Sequence, residues 1–197
     1  MENKTLFLVV GASGTGKTTL VSQLENLHNL SPIPSYTTRP PRSDSEYGHI
    51  FVNDEAFTQL KNIVAYTLYN GYQYGATSEQ VDVHDLYVID PSGVDFFKKA
   101  YRGKKQIKVI YIKSPIHTRE QRMLERDSNY QSAIEKGDIG KAIQIYNTIM
   151  ERIINDFSEF MNFEREADFI VENNDNTRFS DIINSVWQFI RKEEEDD

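Results

Sequence analysis

The chain contains no cysteine, which excludes disulfides, zinc–thiolate sites and thiol catalysis. It also lacks any apolar run near the ~18–20 residues that a bilayer span requires. The apolar stretch at residues 6–10 is too short for a signal-peptide core and runs straight into a glycine-rich loop. Both absences lead to an expectation of a cytoplasmic protein. A basic excess is missing too. The formal net charge is -8, five of the negative charges lie in residues 193–197, and the rest of the chain is close to balanced. Such a surface argues against nucleic acid or an anionic membrane as partner. The four histidines, His28, His49, His84 and His117, show no metal-ligand spacing. No internal repeat is present, and the only low-complexity stretch is the acidic tail, read as a solvated helix end.

What is present starts with Gly11-Ala12-Ser13-Gly14-Thr15-Gly16-Lys17-Thr18-Thr19, placed directly after a short β-branched run. Gly, four residues, then Gly-Lys-Ser/Thr is the phosphate-binding loop pattern. Glycines let successive N–H groups turn toward phosphate oxygens, and Lys17 supplies a point charge to the β and γ phosphates. Thr18 offers a hydroxyl to Mg²⁺ while opening a helix whose positive end favours the same anion. Residues 11–19 are therefore the expected ATP-binding segment.

Strand patterns recur at residues 5–10, 86–90, 107–112 and 168–171, apolar and β-branched as in strands covered on both faces. Helical patterns separate them. One is expected over 92–102, opened by Ser92 with Asp95 and burying Val94, Phe96 and Phe97 or a subset. Another begins after Ser114 and Pro115, and a third covers 177–191. Alternation of this kind predicts a three-layer α/β fold around a parallel sheet, with ligands at the carboxyl ends of the strands.

Two segments interrupt the alternation. Residues 35–83 read as a small mixed insert of strands with a helix near 54–62, and 116–163 as a helical hairpin whose break is Gly137-Asp138. In the latter, Ile139, Ala142, Ile143, Tyr146, Ile149, Met150, Ile153 and Phe157 share one apolar face. The expected organisation is a single domain over 1–197. Its core is 1–34, 84–115 and 164–192, with the acceptor insert 35–83, the lid 116–163 and the tail 193–197. In the insert, Arg39 and Arg42 flank two prolines that stiffen the segment, and a guanidinium fork suits a phosphate. Tyr36, Tyr47 and Tyr74 add hydroxyls and ring faces.

With these residues in view the chain resembles the guanylate kinase family over nearly its whole length. The pieces that carry the resemblance are residues 11–20, Ser35-Tyr-Thr-Thr-Arg-Pro-Pro-Arg42, Gly48-His-Ile-Phe-Val-Asn53, Tyr74-Gly75, Ile89-Asp90 with Gly93-Val94, Arg122, Arg126, and Asp168 through Asn174. The resemblance implies an ATP-dependent nucleotide kinase that uses Mg²⁺ and phosphorylates a nucleoside monophosphate. It implies acceptor-phosphate ligands at Ser35, Arg39, Arg42 and Tyr74, and an acidic residue at Asp90 near the acceptor and the metal, which Thr18 shares. It further implies that Arg122, Arg126 and Arg152 close over the donor phosphates, catalytic together with Lys17 and Arg39.

The departures matter as much. The family's guanine-reading glutamate falls on Ala65, and its base-reading hydroxyl on Ala76, with Thr77 and Ser78 following. A family tyrosine falls on His49, in a shorter loop where Tyr47 is a stand-in. Phosphate recognition is retained while guanine recognition is weakened, so the expected acceptor is GMP, dGMP or a related mononucleotide. A lid about 15 residues longer than the family pattern is expected to reshape the acceptor pocket or to make contacts in a homodimer. Two other readings stand beside this one: a kinase of another phosphorylated small molecule such as a sugar phosphate, and a non-catalytic binding module using the arginine clamp. The intact Lys17 weighs against the module.

Overall fold

Strand β1 (Thr5–Gly11) is buried along its entire length, as its unbroken apolar run requires of a central strand. It lies in a computed structural model that describes residues 4–41, 46, 48–69 and 71–195. Helix α1 (Lys17–His28) follows; then β2 (Ser35–Thr37), β3 (His49–Phe51), α2 (Asp54–Thr58), β4 (Ile63–Tyr69), β5 (Tyr72–Thr77) and α3 (Ser78–Val83). Next come β6 (Leu86–Val88), α4 (Pro91–Ala100), β7 (Gln106–Lys113), α5 (Ile116–Arg126), α6 (Ser128–Glu135) and α7 (Ile139–Glu159). A 3₁₀ turn (Phe163–Glu166), β8 (Phe169–Glu172) and α8 (Phe179–Glu195) end the chain's described part.

The core sheet has the order β6-β1-β7-β8 and is parallel throughout, with Val9 beside Val88 on one flank and Ile110 on the other. Alternation along β1 divides the core. Leu6, Leu8 and Val10 pack with Tyr87, Val94, Phe97 and Tyr111 under α4, while Phe7 and Val9 pack with Leu20, Leu24, Ile182 and Val186 under α1 and α8. Truncating a fully buried residue such as Phe7 to Ala in so dense a layer costs about 3–5 kcal/mol. The second sheet, β3-β2-β5-β4, is mixed: β2 and β3 run parallel, and β5 pairs antiparallel with β2 and β4. It docks on the core where the Thr67 hydroxyl of β4 donates to Asp90 Oδ1 at the head of α4, 3.1 Å away.

Three local expectations need correction. Helix α4 is not opened by Ser92 and Asp95. Asp90 caps it, accepting the Gly93 amide at 2.7 Å, with Pro91 in the first turn where no N–H is needed and Phe96 left exposed. The 116–163 segment has three helices rather than two, because Asp127 ends α5 and its carboxylate caps α6 through the amides of Asn129 and Tyr130. The apolar face of α7 is only partly covered. Ala142, Ile149 and Ile153 are buried, whereas Ile139, Ile143 and Phe157 stay 60%, 54% and 62% exposed. The helix carries two apolar stripes about 100° apart, and α5 and α6 cover one of them.

Candidate active site

Between β1 and α1 the backbone turns through two left-handed glycines, Gly14 at φ 81° and Gly16 at φ 96°. A Cβ on Gly14 would sit 2.9 Å from the Arg119 carbonyl oxygen, so helix α5 rests directly on the loop. Gly16 caps α1 without a side-chain hydrogen bond, which leaves the helix amides facing the cleft as an anion site. Lys17 folds back across the loop, its ammonium donating to the carbonyls of Gly11 at 2.5 Å and Ala12 at 3.1 Å. Burial lowers the Lys17 pKa to about 8. Asp156 raises it in opposition, and Arg152, Arg119 and Arg126 lower it further. Thr18, on the first turn of α1, lines the cleft, and Thr19 points to solvent.

The loop is held from outside. The Ser13 amide donates to Asp156 Oδ2 and its carbonyl accepts from Arg119 Nε, both at 2.7 Å. Asn173, at the end of β8, donates from Nδ2 to the Thr15 carbonyl at 2.9 Å. Ser13, Thr15 and Asn173 are all buried, so each of these bonds satisfies a polar group that water cannot reach.

The opposite wall comes from the mixed sheet. Arg39 is 8% exposed, with Nε donating to the Tyr74 hydroxyl at 3.1 Å and its two terminal nitrogens paired with Glu46 at 3.2 and 2.6 Å. The Glu46 hydrogen bond is the main cause that raises the Arg39 pKa. His49 lies edge-on to Tyr74 at 5.9 Å. Ser35 is buried against Tyr87, whose phenol pKa is pushed up by burial. Ala65 and Ala76 face each other directly across β4 and β5, at 1% and 0% exposure, so the two methyls form one small apolar surface, of which Ala65 lines the cleft. Asp90 takes three hydrogen bonds on Oδ1, from Thr67, Ser92 and Gly93, and none from the described residues on Oδ2. Arg42 and Tyr47 lie outside the described residues.

The walls enclose one cleft of about 280 Å³. Lys17, Thr18, Ser35, Arg39, His49, Tyr74, Asp90, Arg126 and Arg152 all line it, as does Ala65. Arg152 stacks over Tyr69, 5.5 Å from the ring centroid, and its Nε is buried with no hydrogen-bond partner among the described residues. A buried donor in that state calls for an anion. Arg122 turns elsewhere, donating to the Asn173 main-chain and side-chain oxygens at 3.4 and 3.1 Å. Glu159 stands at the rim, its pKa raised first by desolvation and then by Asp90 and Asp156. Among the described residues no three His, Asp or Glu side chains converge as a metal cage. The Thr18 hydroxyl and the Asp90 carboxylate are oxygen donors of the kind that suits Mg²⁺.

Sequence reasoning missed Arg119, Asp156 and Glu46, and gave no role to Asn173 within the segment 168–174. One signal was available: Asp156 falls three residues after Ile153 and seven after Ile149, a carboxylate on the buried face of α7. A charge at such a position needs a partner.

No family model matches the chain. The guanylate kinase of Neisseria gonorrhoeae is 43% identical over 83 residues, so this chain covers 40% of that relative's length, and the match covers 39% of this chain. The guanylate kinase of Thermotoga maritima is 27% identical over 201 positions, covering 95% of this chain and 86% of that one. That of Psychrobacter arcticus is 29% identical over 81% of this chain and 76% of its own length. A solved guanylate kinase structure from Anaplasma phagocytophilum superposes with a TM-score of 0.64 over 98% of this chain and 88% of that one, at 18% identity, a likeness of fold.

Proposed function

The chain belongs to the guanylate kinase family, and from that premise we propose that it transfers the γ-phosphate of Mg-ATP to GMP, dGMP or a related mononucleotide. The observation that carries the reading is the single cleft with Lys17 and Arg152 on one wall and Arg39 on the other. Phosphoryl transfer asks the protein for little covalent work; it needs a held donor, a held acceptor and positive charge over the moving group. The loop amides and the α1 N-terminus bind the donor phosphates, and Lys17 neutralises charge that develops on the β and γ groups. Arg126 and Arg152 add charge from the lid side. Arg39 and Tyr74, with Ser35, hold the acceptor phosphate, and the stiff Pro40-Pro41 segment limits where Arg39 sits. Thr18 and Asp90 would hold a Mg²⁺ ion, which would supply positive charge to offset that of the phosphates.

The acceptor base is where the reading becomes specific to this chain. Guanine presents adjacent N–H donors, and a carboxylate accepts both. With Ala65 in the cleft wall, those donors meet a methyl group rather than a carboxylate, and each donor left unpaired costs about 1–3 kcal/mol. The testing experiment is ADP formation from Mg-ATP over a panel of ribo- and deoxyribonucleoside monophosphates. Turnover with at least one of them is expected, falling by about 10²-fold or more in Lys17→Ala and Arg39→Ala. ATP binding without turnover of any mononucleotide would overturn the proposed acceptor class. Ala65 and Ala76 then favour the second reading, a phosphorylated small molecule without a purine, such as a sugar phosphate.

A further inference from the structure

The ion pair between Arg119 on α5 and Asp156 on α7 contacts no phosphate in the mechanism above, yet both residues are 5% exposed and both end on one residue of the phosphate loop. Asp156 Oδ2 accepts the Ser13 amide at 2.7 Å, Arg119 Nε donates to the Ser13 carbonyl at 2.7 Å, and an Arg119 terminal nitrogen closes on the same Asp156 oxygen. Two helices thus grip both polar groups of one peptide residue. A buried ion pair adds little net stability, because desolvation offsets the attraction. Stability alone does not account for it.

What the pair supplies is register. Asp156 stands one turn after Arg152 on the same helix, so anchoring Asp156 to Ser13 fixes how far Arg152 lies from Lys17. We infer that Arg119 and Asp156 are positioning residues of the donor site: their pair locks the phosphate loop and the Arg152 turn of α7 into one unit. The inference rests on the nucleotide-kinase reading and extends it to residues that reading gives no phosphate contact.

The test uses the full chain and two variants. Arg119→Met with Asp156→Ala removes both charges and strands neither in the interior. Asp156→Asn keeps an oxygen for the Ser13 amide and removes only the carboxylate charge. Mg-ATP affinity is measured by calorimetry without acceptor, alongside circular dichroism, kcat and the KM of the acceptor found in the panel. The double variant is expected to fold and to bind Mg-ATP about 10- to 100-fold more weakly, as a misplaced charge does, with the acceptor KM unchanged. Asp156→Asn, which keeps an acceptor for the Ser13 amide, is expected to weaken Mg-ATP binding less than the double variant, again with the acceptor KM unchanged. Wild-type Mg-ATP affinity in the folded double variant would overturn the inference. Failure of the wild-type chain to bind Mg-ATP at any pH would instead overturn the kinase reading on which it depends.

Discussion

Lys17 illustrates how a single side chain in this fold couples burial to binding. Its pKa near 8 lies below the ordinary lysine value of 10.5 because the ammonium is desolvated, so the folded protein keeps it charged at a cost. The sign of the pH dependence follows. Below pH 8 both states bind the proton and the cost is present in full; between about 8 and 10.5 the unfolded chain holds more protons, and the Lys17 contribution to stability rises with pH. Nucleotide phosphates have the opposite preference, since they favour the ammonium. Mg-ATP binding should therefore take up a fraction of a proton near pH 8, and its affinity should fall as pH rises beyond that. Calorimetry in buffers of different ionisation enthalpy measures the uptake directly; uptake independent of pH between 6.5 and 9 would contradict the burial of Lys17. Arg39 shows a different use of charge. Its fork is filled by the Glu46 carboxylate and supported by Tyr74, geometry that an acceptor phosphate could share and that lysine could not reproduce.

Among the elements, β4 and β5 carry the proposed choice of acceptor. Ala65 and Ala76 are directly opposed, so both methyls project to one face, and the carboxylate and hydroxyl expected from the family would stand side by side there. Ala65→Glu with Ala76→Ser should lower the KM for GMP relative to other monophosphates by about tenfold, as one recovered hydrogen-bond set allows. The same change should lower the melting temperature of the empty protein, because it buries a carboxylate beside Val64 and Ile89. Unaltered selectivity across the monophosphate panel would show that the base is read elsewhere. Helix α7 is the other decisive element. Its buried stripe ends in Asp156 and Arg152 at the cleft, while its outer stripe of Ile139, Ile143, Ile154 and Phe157 faces solvent.

For the whole molecule, α7 is divided between two regimes. Its second half, residues 149–156, is tied to α5 and to the phosphate loop through Ile149, Ile153 and Asp156. Its first half and α6 bury little beyond Ala133 and Ala142. Hydrogen exchange should accordingly be faster over 128–148 than over 149–156, and a bound bisubstrate nucleotide should slow the former more. Uniform protection along α7 would mean that the lid moves as one body with the core. The parallel core was legible in the residues alone, since runs such as residues 5–10 and 107–112 have no stable place except between two helical layers. So were the glycine-rich turn after β1 and the segment that carries Arg39 to the cleft, because those motifs are local and their spacing states their geometry. What joins them emerged only from packing. The Arg119–Asp156 pair spans 37 residues, and Asn173 reaches a loop 158 residues earlier, so no local pattern signals either. The extra break at Asp127 and the uncovered stripe of α7 were likewise decided by which surfaces α5 and α6 reach, a matter of packing rather than periodicity.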